Sequence, residues 1–266
     1  MGDDRAGLWA SGKVYEPYIG RWSRLVAPEF VDWLAVPSGR DWLDVGCGTG
    51  ALTGTILARC APTSVLGVEP SEGFLLHAKA HVTDARARFE QGDAQRLPVA
   101  DRECDAVVSG LVLNFVPDKE RAVAEMRRVA RPGGVVALYV WDYAGRMELM
   151  RRFWDAAAAL DPAAAAMDEG SRFTVCRPEP LRDLFEAAGL GDVQARPVDI
   201  PTVFRNFDDY WTPFLGGQAP APSYCMSLTE DRRSQLRERL RSTLPIEADG
   251  TIRLIARAWA VRGRAD

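Results

Sequence analysis

Apolar and polar positions change period several times along the chain, and the changes mark its elements. Val26, Phe30, Trp33 and Leu34 recur at i, i+4, i+7 and i+8, which is one face of a helix, and Pro37, Ser38 and Gly39 end it. From residue 41 onward, short apolar runs alternate with helical patterns. DWLDVG (41–46) predicts a first strand, and Leu52, Ile56 and Leu57 begin a helix after it. VLGVEP (65–70) predicts a second strand, with Ser71 as the N-cap of a helix over 72–82. ARFEQGDA (87–94) and CDAVVSGL (104–111) predict the third and fourth strands. Asp118 is placed to cap a helix whose Ala122, Met126 and Val129 face inward. RPGG (131–134) reads as a turn and VVALYVW (135–141) as a fifth strand.

This alternation of strand and helix implies a parallel sheet covered on both faces, with right-handed crossovers. The last third of the chain is different. LRDLFEAAG (181–189) has the pattern of an amphipathic helix with Gly189 as its C-cap. VQARPVDI (193–200) and TIRLIARAWAV (251–261) alternate with period two and predict an antiparallel hairpin. Residues 201–250 between them are too long for a plain loop and contain Phe204, Phe207, Tyr210, Trp211 and Phe214, so a small helical cap is expected there. The expected fold class is α/β: a mostly parallel seven-stranded sheet with helices on both faces, an antiparallel C-terminal hairpin and a small helical cap insertion. It is read as a single domain over 1–266, with N-terminal lid helices in 1–36 and the cap in 201–250.

Composition narrows the function. The 266 residues are 47% hydrophobic, enough for a sizeable core. The formal net charge is −4 and the pI about 5.4, which argues against a polynucleotide substrate gripped by its phosphates. The Arg-rich stretch 230–241 mixes acids and bases and reads as a solvated helix face. Cys47, Cys60, Cys104, Cys176 and Cys225 are scattered, as reduced thiols of a cytoplasmic protein would be. No apolar run approaches ~18 residues, so no membrane span is expected. The opening MGDDRAGLWASG is too polar for a signal peptide.

Three local signals carry the chemistry. In LDVGCGTG (43–50), Gly46, Gly48 and Gly50 alternate directly after a strand and before a helix, where glycine permits positive φ and close backbone approach to a ligand. Gly46, Gly48 and Ala51 also satisfy the dinucleotide fingerprint G-x-G-x-x-G/A, so the loop alone leaves a nicotinamide-dependent oxidoreductase open. Glu69 ends the second strand, where a carboxylate can accept from both hydroxyls of a ribose. Asp93 ends the third, where a carboxylate can accept from an adenine amino group while the N–H of Ala94 or Gln95 reaches a ring nitrogen.

With these residues in order, the chain resembles the class I S-adenosylmethionine-dependent methyltransferases, and is most similar to the bacterial group like the quinone-biosynthesis (type 11) enzymes. The resemblance rests on LDVGCGTG, GVEPSEG, GDAQRLP, DAVVSGLVLNFVPD and RPGGVVALYVWD and covers about residues 14–190. It implies a Rossmann-like sheet and S-adenosylmethionine as cofactor. Asp44 with Gly46, Cys47, Gly48 and Gly50 would surround its methionine end, Glu69 and Pro70 would hold the ribose, and Asp93 with Ala94 the adenine. Ser109 would lie near the methionine carboxylate and the sulfonium, with Asn114 and Phe115 close behind. The tetrapeptide of amino-methylating nucleic-acid enzymes is missing, and no Asp stands at the end of strand four to hold a divalent metal, so no metal is expected.

The remaining expectations concern catalysis and the acceptor. No general base stands out. Asp142, Tyr143 and Glu148, just past the fifth strand, are weak candidates, and a non-enzymatic S-adenosylmethionine-binding protein therefore stays open. His77 and His81 are spaced i, i+4 on a helix that reads as surface. In VYEPYIGRWSR (14–24), Tyr15, Tyr18, Arg21 and Trp22 are expected to close over the cofactor as a lid. Tyr18, Trp22, Trp141, Tyr143, Tyr210, Trp211 and Phe214 are expected to line a pocket for a small, largely apolar or aromatic metabolite. The expected assembly is a monomer or homodimer, without nucleic-acid or membrane partners.

Overall fold

Seven strands form one sheet in the order β3-β2-β1-β4-β5-β7-β6 in a computed structural model that describes residues 19–217 and 219–266. The strands are β1 Asp41–Val45, β2 Ser64–Glu69, β3 Ala87–Gln91, β4 Cys104–Gly110, β5 Ala130–Trp141, β6 Gly191–Phe204 and β7 Ile252–Arg264. The pairs β1–β2, β2–β3, β1–β4 and β4–β5 are parallel. β7 runs antiparallel to its neighbour β5: Gly133 N–H donates to Ala265 O, while Asp142 N–H donates to Arg257 O. The mostly parallel sheet and its antiparallel C-terminal strands are those read from the sequence, and they are Rossmann-like. Tyr15 and Tyr18 lie outside the described residues, so their place in a lid stays an expectation.

The strands match their sequence runs because both faces are covered. Trp42, Leu43 and Val45 in β1, and Ala106, Val107 and Val108 in β4, are each at most 1% exposed, the continuous apolar signature of parallel strands. Helices α1 Arg21–Leu34, α2 Ala51–Arg59, α3 Glu72–His81 and α4 Lys119–Val129 alternate with them. Ser71 caps α3 by accepting from Phe74 N–H, and Asp118 caps α4 by accepting from Arg121 N–H, as their positions imply. Two readings change. RPGG lies inside β5 rather than in a turn before it: Gly133 takes φ +75° and the register with β4 shifts between Cys104 and Ala106, so this is a bulge rather than a reversal. A further helix, α5 Glu148–Leu160, stands where no element was expected, followed by a 3-10 segment at Pro162–Met167 and by α6 Glu169–Arg172. The C-terminal part adds α7 Pro178–Ala187, and the cap holds α8 Phe207–Trp211, α9 Pro220–Ser227 and α10 Glu230–Thr243.

The chain divides into two compact units. Among the described residues, one comprises 19–22 with Trp141–Thr174 and Asp199–Arg257; the other comprises Ser23–Val140, Val175–Val198 and Ala258–Asp266. The second unit contains β1 to β4 and the glycine loop. In it Phe30 of α1 packs against Tyr139 of β5, ring centroids 4.7 Å apart.

The first unit gathers the expected cap with α5, and its core is aromatic. Phe153 and Phe214 stack at 4.4 Å, Tyr210 packs against Phe204 at 5.3 Å and against Phe214 at 5.5 Å, and Trp154 against Tyr224 at 5.5 Å. Tyr210 is fully buried and its hydroxyl donates to Leu149 O at 3.0 Å. Tyr210, Trp211 and Phe214 therefore hold the cap together instead of lining a pocket, which corrects the expectation for these three side chains.

Candidate cofactor site

The candidate site lies in the second unit, on the edge formed by the C-terminal ends of β3, β2, β1 and β4. Sheet order reverses direction of growth at β1 and β4, and open α/β sheets bind ligands outside the strand ends at such a switch point. Gly46, Gly48 and Gly50 all take positive φ, at +73°, +55° and +87°. The loop they form is tied down by its backbone: Gly46 N–H and Cys47 N–H both donate to Val68 O, at 2.7 and 3.1 Å, and Gly50 N–H donates to Cys47 O at 2.9 Å. A Cβ on Gly46 would meet Val112 Cγ2 at 2.6 Å, so that glycine is required by packing. A Cβ on Gly48 would meet nothing within 4 Å, so the space at this glycine is open.

Glu69 is 7% exposed and braces the loop from the neighbouring strand. Its Oε2 accepts from Gly48 N–H at 3.1 Å and its Oε1 from Ser71 N–H at 3.0 Å. Burial raises its pKa, and the N–H groups of Ser71 and Gly48 offset part of the rise. Each oxygen has spent one lone pair on backbone, which leaves acceptor capacity for a ligand. Asp44, 1% exposed, accepts from Thr53 Oγ1 on Oδ2 at 2.7 Å, while Oδ1 is buried without a hydrogen-bond partner. Burial pushes its carboxyl up to about 7, and the nearby Glu69 charge adds to the rise.

The other predicted residues fall into three groups. Asp93 is exposed at the end of β3 and its carboxylate already accepts from Gln95, from N–H at 2.8 Å and from the side-chain amide at 3.0 and 3.2 Å. The Gln95 N–H is thereby taken, so of the two N–H groups considered for a ring nitrogen only that of Ala94 stays a candidate. Ser109 is buried at the end of β4 and donates to Val45 O at 2.7 Å, tying β4 to β1. Pro70 is exposed beside Glu69, with its carbonyl accepting from Gln91 Nε2 at 3.0 Å. Cys47 points away from any ligand role: its side chain packs with Leu75, Ala78 and Phe89, and burial raises its thiol far out of reach. Its backbone N–H and carbonyl tie the loop, to Val68 O and Gly50 N–H. Asn114, in the short turn Leu113–Phe115 after β4, was noted in sequence only as lying close by; it is 5% exposed and its Nδ2 has no hydrogen-bond partner.

The remaining predicted residues are engaged by contacts within their own units. Arg21 and Trp22, expected to close over the cofactor, are held in the first unit, Arg21 by an ion pair to Asp209 at 3.0 Å and Trp22 by edge-on packing on Phe204 at 5.3 Å. Asp142 folds back on its own turn, Oδ2 accepting from Arg146 N–H at 2.9 Å. Glu148 accepts from Ile255 N–H at 2.9 Å, and the buried Tyr143 packs against Phe173 at 5.3 Å. All three thus hold the segment after β5. Trp141 is likewise buried at 1% exposure. His77 and His81 stack on the surface of α3 at 3.9 Å, and no group of three or more metal-ligating side chains occurs among the described residues.

The donor set fits S-adenosylmethionine. Four adjacent strands at ~4.8 Å spacing span roughly 14 Å, the scale of an extended nucleoside–amino acid ligand. Along that span lie the exposed Asp93 carboxylate, the buried Glu69 carboxylate, an open glycine loop and an unpaired buried oxygen of Asp44. Family comparison agrees. A model described as a methyltransferase domain matches residues 43–138, which run from β1 into β5. A demethylmenaquinone methyltransferase from Roseiflexus sp. is 33% identical over 180 residues, covering 62% of this chain and 74% of that protein. The chain belongs to the S-adenosylmethionine-dependent methyltransferases.

An uncharacterized methyltransferase from Mycobacterium bovis is 29% identical over 226 residues, covering 82% of this chain and 78% of that one. Among solved structures, the YcgJ protein from Bacillus subtilis superposes with a TM-score of 0.61 at 18% identity, covering 91% of this chain and 98% of that one, which supports the fold. For this methyltransferase the oxidoreductase alternative left open by the glycine spacing is set aside. No helix among the described residues is long and apolar enough to cross a membrane.

Proposed function

We propose that the protein transfers the methyl group of S-adenosylmethionine to a small-molecule acceptor, with the cofactor lying along the ends of β3, β2, β1 and β4. The observation that carries the placement is Glu69, a buried carboxylate at the end of β2 that holds the apex of an open glycine loop. In this reading Glu69 accepts from the ribose hydroxyls, Asp93 and Ala94 N–H take the adenine, and Gly46 to Gly50 with Asp44 surround the methionine end. Ser109 keeps β4 against β1, and the Asn114 amide supplies a donor beside them.

Bound S-adenosylmethionine supplies an activated methyl on a positively charged sulfur that becomes neutral on transfer. The chain's own work is therefore alignment and exclusion of water more than proton transfer. That agrees with Asp142, Tyr143 and Glu148 being engaged structurally. A small acceptor is supported by the net charge of −4 and by the demethylmenaquinone methyltransferase among the relatives. An apolar or aromatic acceptor now rests on that relative alone, since the cap aromatics are in a core. Five free cysteines suit a reducing, cytoplasmic setting. Calorimetric titration with S-adenosylhomocysteine and with NAD, followed by a screen of small metabolites for labelled methyl incorporation, tests the reading. Binding of S-adenosylhomocysteine and methyl incorporation into a small molecule are expected; tighter binding of NAD would refute it.

A further inference from the structure

Glu69 at the end of β2 and Asp93 just past β3 are filled to different degrees by their own neighbours. An ionised carboxylate has about four acceptor positions, two on each oxygen. Glu69 accepts from Ser71 N–H on Oε1 and from Gly48 N–H on Oε2, so one position remains on each oxygen. Asp93 is exposed and yet more nearly filled. Its Oδ1 accepts from Gln95 N–H at 2.8 Å and from Gln95 Nε2 at 3.2 Å, and its Oδ2 accepts from Gln95 Nε2 at 3.0 Å. Counted over the described residues, one position then remains on this carboxylate, and it is on Oδ2.

Gln95 is held in place by more than Asp93. Its Oε1 accepts from the N–H of Asp118, the N-cap of α4, at 3.1 Å, and its backbone carbonyl accepts from Arg121 Nε at 2.8 Å. Arg96 N–H closes the turn by donating to Asp93 O at 3.0 Å. The side-chain amide therefore has its oxygen on α4 and its nitrogen on Asp93. Its orientation is fixed from both ends, because the Asp118 N–H can only donate and an ionised carboxylate can only accept. An exposed aspartate without such a partner turns easily about its last torsion, which has a broad preference. Asp93 is tied to α4 through Gln95 and loses that freedom.

The acceptor positions that remain match the donors of an adenosine. Glu69 keeps two, for two ribose hydroxyls, and Asp93 keeps one, for one N–H of the adenine amino group. A 6-oxo purine differs at this point, with a carbonyl oxygen in place of the amino group and an N–H at N1. It could use both neighbours only by shifting, so that its oxygen takes Ala94 N–H and its N1–H reaches a carboxylate that has turned to follow. Gln95 opposes that turn, since it occupies Oδ1 and holds the plane of the carboxylate.

We infer that Gln95 is a positioning residue for base selection: its amide fixes Asp93 so that Oδ2 reads the purine, and the site thereby takes a 6-amino purine and rejects a 6-oxo one. Gln95 acts through Asp93 and touches no ligand. Its role rests on the proposed placement of the adenine at Asp93, and it adds a side chain that decides which base is accepted there.

Calorimetric titration with S-adenosylhomocysteine and with S-inosylhomocysteine, its 6-oxo counterpart, reads the selection as a ratio of dissociation constants. The native protein should bind S-adenosylhomocysteine about tenfold more tightly or better, the effect of one hydrogen bond to a charged group. Gln95→Ala should lower that ratio by about threefold or more, because the carboxylate is then free to turn. Gln95→Glu keeps an acceptor for the Asp118 N–H and loses the donor to Asp93, so it should lower the ratio likewise and keeps the test independent of how well the alanine variant folds. A general loosening of the turn would weaken both ligands alike and leave the ratio where it was. An unchanged ratio in both variants overturns the role of Gln95 and leaves the adenine at Asp93. A native protein that binds the two ligands equally, or binds neither, removes the adenine from Asp93 and overturns the role of Gln95 with it.

Discussion

Glu69 Oε2 accepts the N–H of Gly48 at 3.1 Å, so the acid at the end of β2 holds the middle of the glycine loop that follows β1. One side chain thereby braces the loop and, in the proposed placement, presents a carboxylate to the ribose. Glu69→Ala should weaken S-adenosylhomocysteine by ~2–4 kcal/mol, since charge-assisted bonds to two hydroxyls are lost and the loop loses its brace. Isothermal calorimetry on the folded variant reads this directly, and unchanged affinity would remove Glu69 from the site.

Gly46 and Gly48 should fail in different ways. At Gly48 an added side chain meets open space, so Gly48→Val should keep most of the fold, losing about 1–2 kcal/mol to its positive φ, while binding is abolished. At Gly46 the same Cβ drives into Val112, so Gly46→Ala should lower Tm more than Gly48→Val does. Melting and binding curves on both variants separate the two effects. Equal losses of stability would contradict the assignment of Gly48 to a ligand cradle.

Two buried carboxyls should make stability fall with rising pH. Asp44 in the second unit and Glu169 in the first are both pushed up to about 7, chiefly by burial, from ordinary values near 4. A raised folded-state pKa means that the stabilising contribution is complete below the ordinary carboxylate range and is lost as pH rises through about 7. Glu169 accepts from the Trp154 indole N–H, and Glu169→Gln keeps an acceptor there without a charge. Tm should therefore fall between pH 5 and pH 8 in the native protein, and less steeply in Glu169→Gln and in Asp44→Asn. Parallel slopes in all three proteins would show that neither group titrates in this window.

The cap should be a packing unit. Phe214→Ala removes the ring stacked on Phe153 at 4.4 Å and should cost ~3–5 kcal/mol of stability. Tyr210→Phe loses only the bond to Leu149 O and should cost ~1 kcal/mol. Denaturant melts check both values. A Phe214→Ala protein of native stability, with a raised KM for the acceptor, would return that ring to the pocket.

The parallel half of the fold was legible because its strands are apolar on both faces and end in glycines or acids. The position of Glu69 was legible for the same reason, since it is the last residue of β2, whereas Asp93 lies two residues past β3 in a short bridge to Arg96. What was missed depends on contacts distant in sequence. Tyr210 is held by its bond to Leu149 O and Phe214 by its stack on Phe153, both on α5, a helix left unread although Leu149, Met150, Phe153, Trp154 and Ala157 carry its buried face. Arg21 is held by Asp209, 188 residues away, and no local pattern announces that pair. RPGG has the composition of a turn, but β7 pairs along it and keeps it in the sheet.

The placement of the cofactor is tested most directly by a crystal structure of the protein with S-adenosylhomocysteine. The expected density runs along the ends of β3, β2, β1 and β4, with both ribose hydroxyls within hydrogen-bond distance of Glu69 and the adenine amino group at Asp93. Density that leaves Glu69 without a ligand contact, or that places the nucleoside away from the loop Gly46–Gly50, would contradict it.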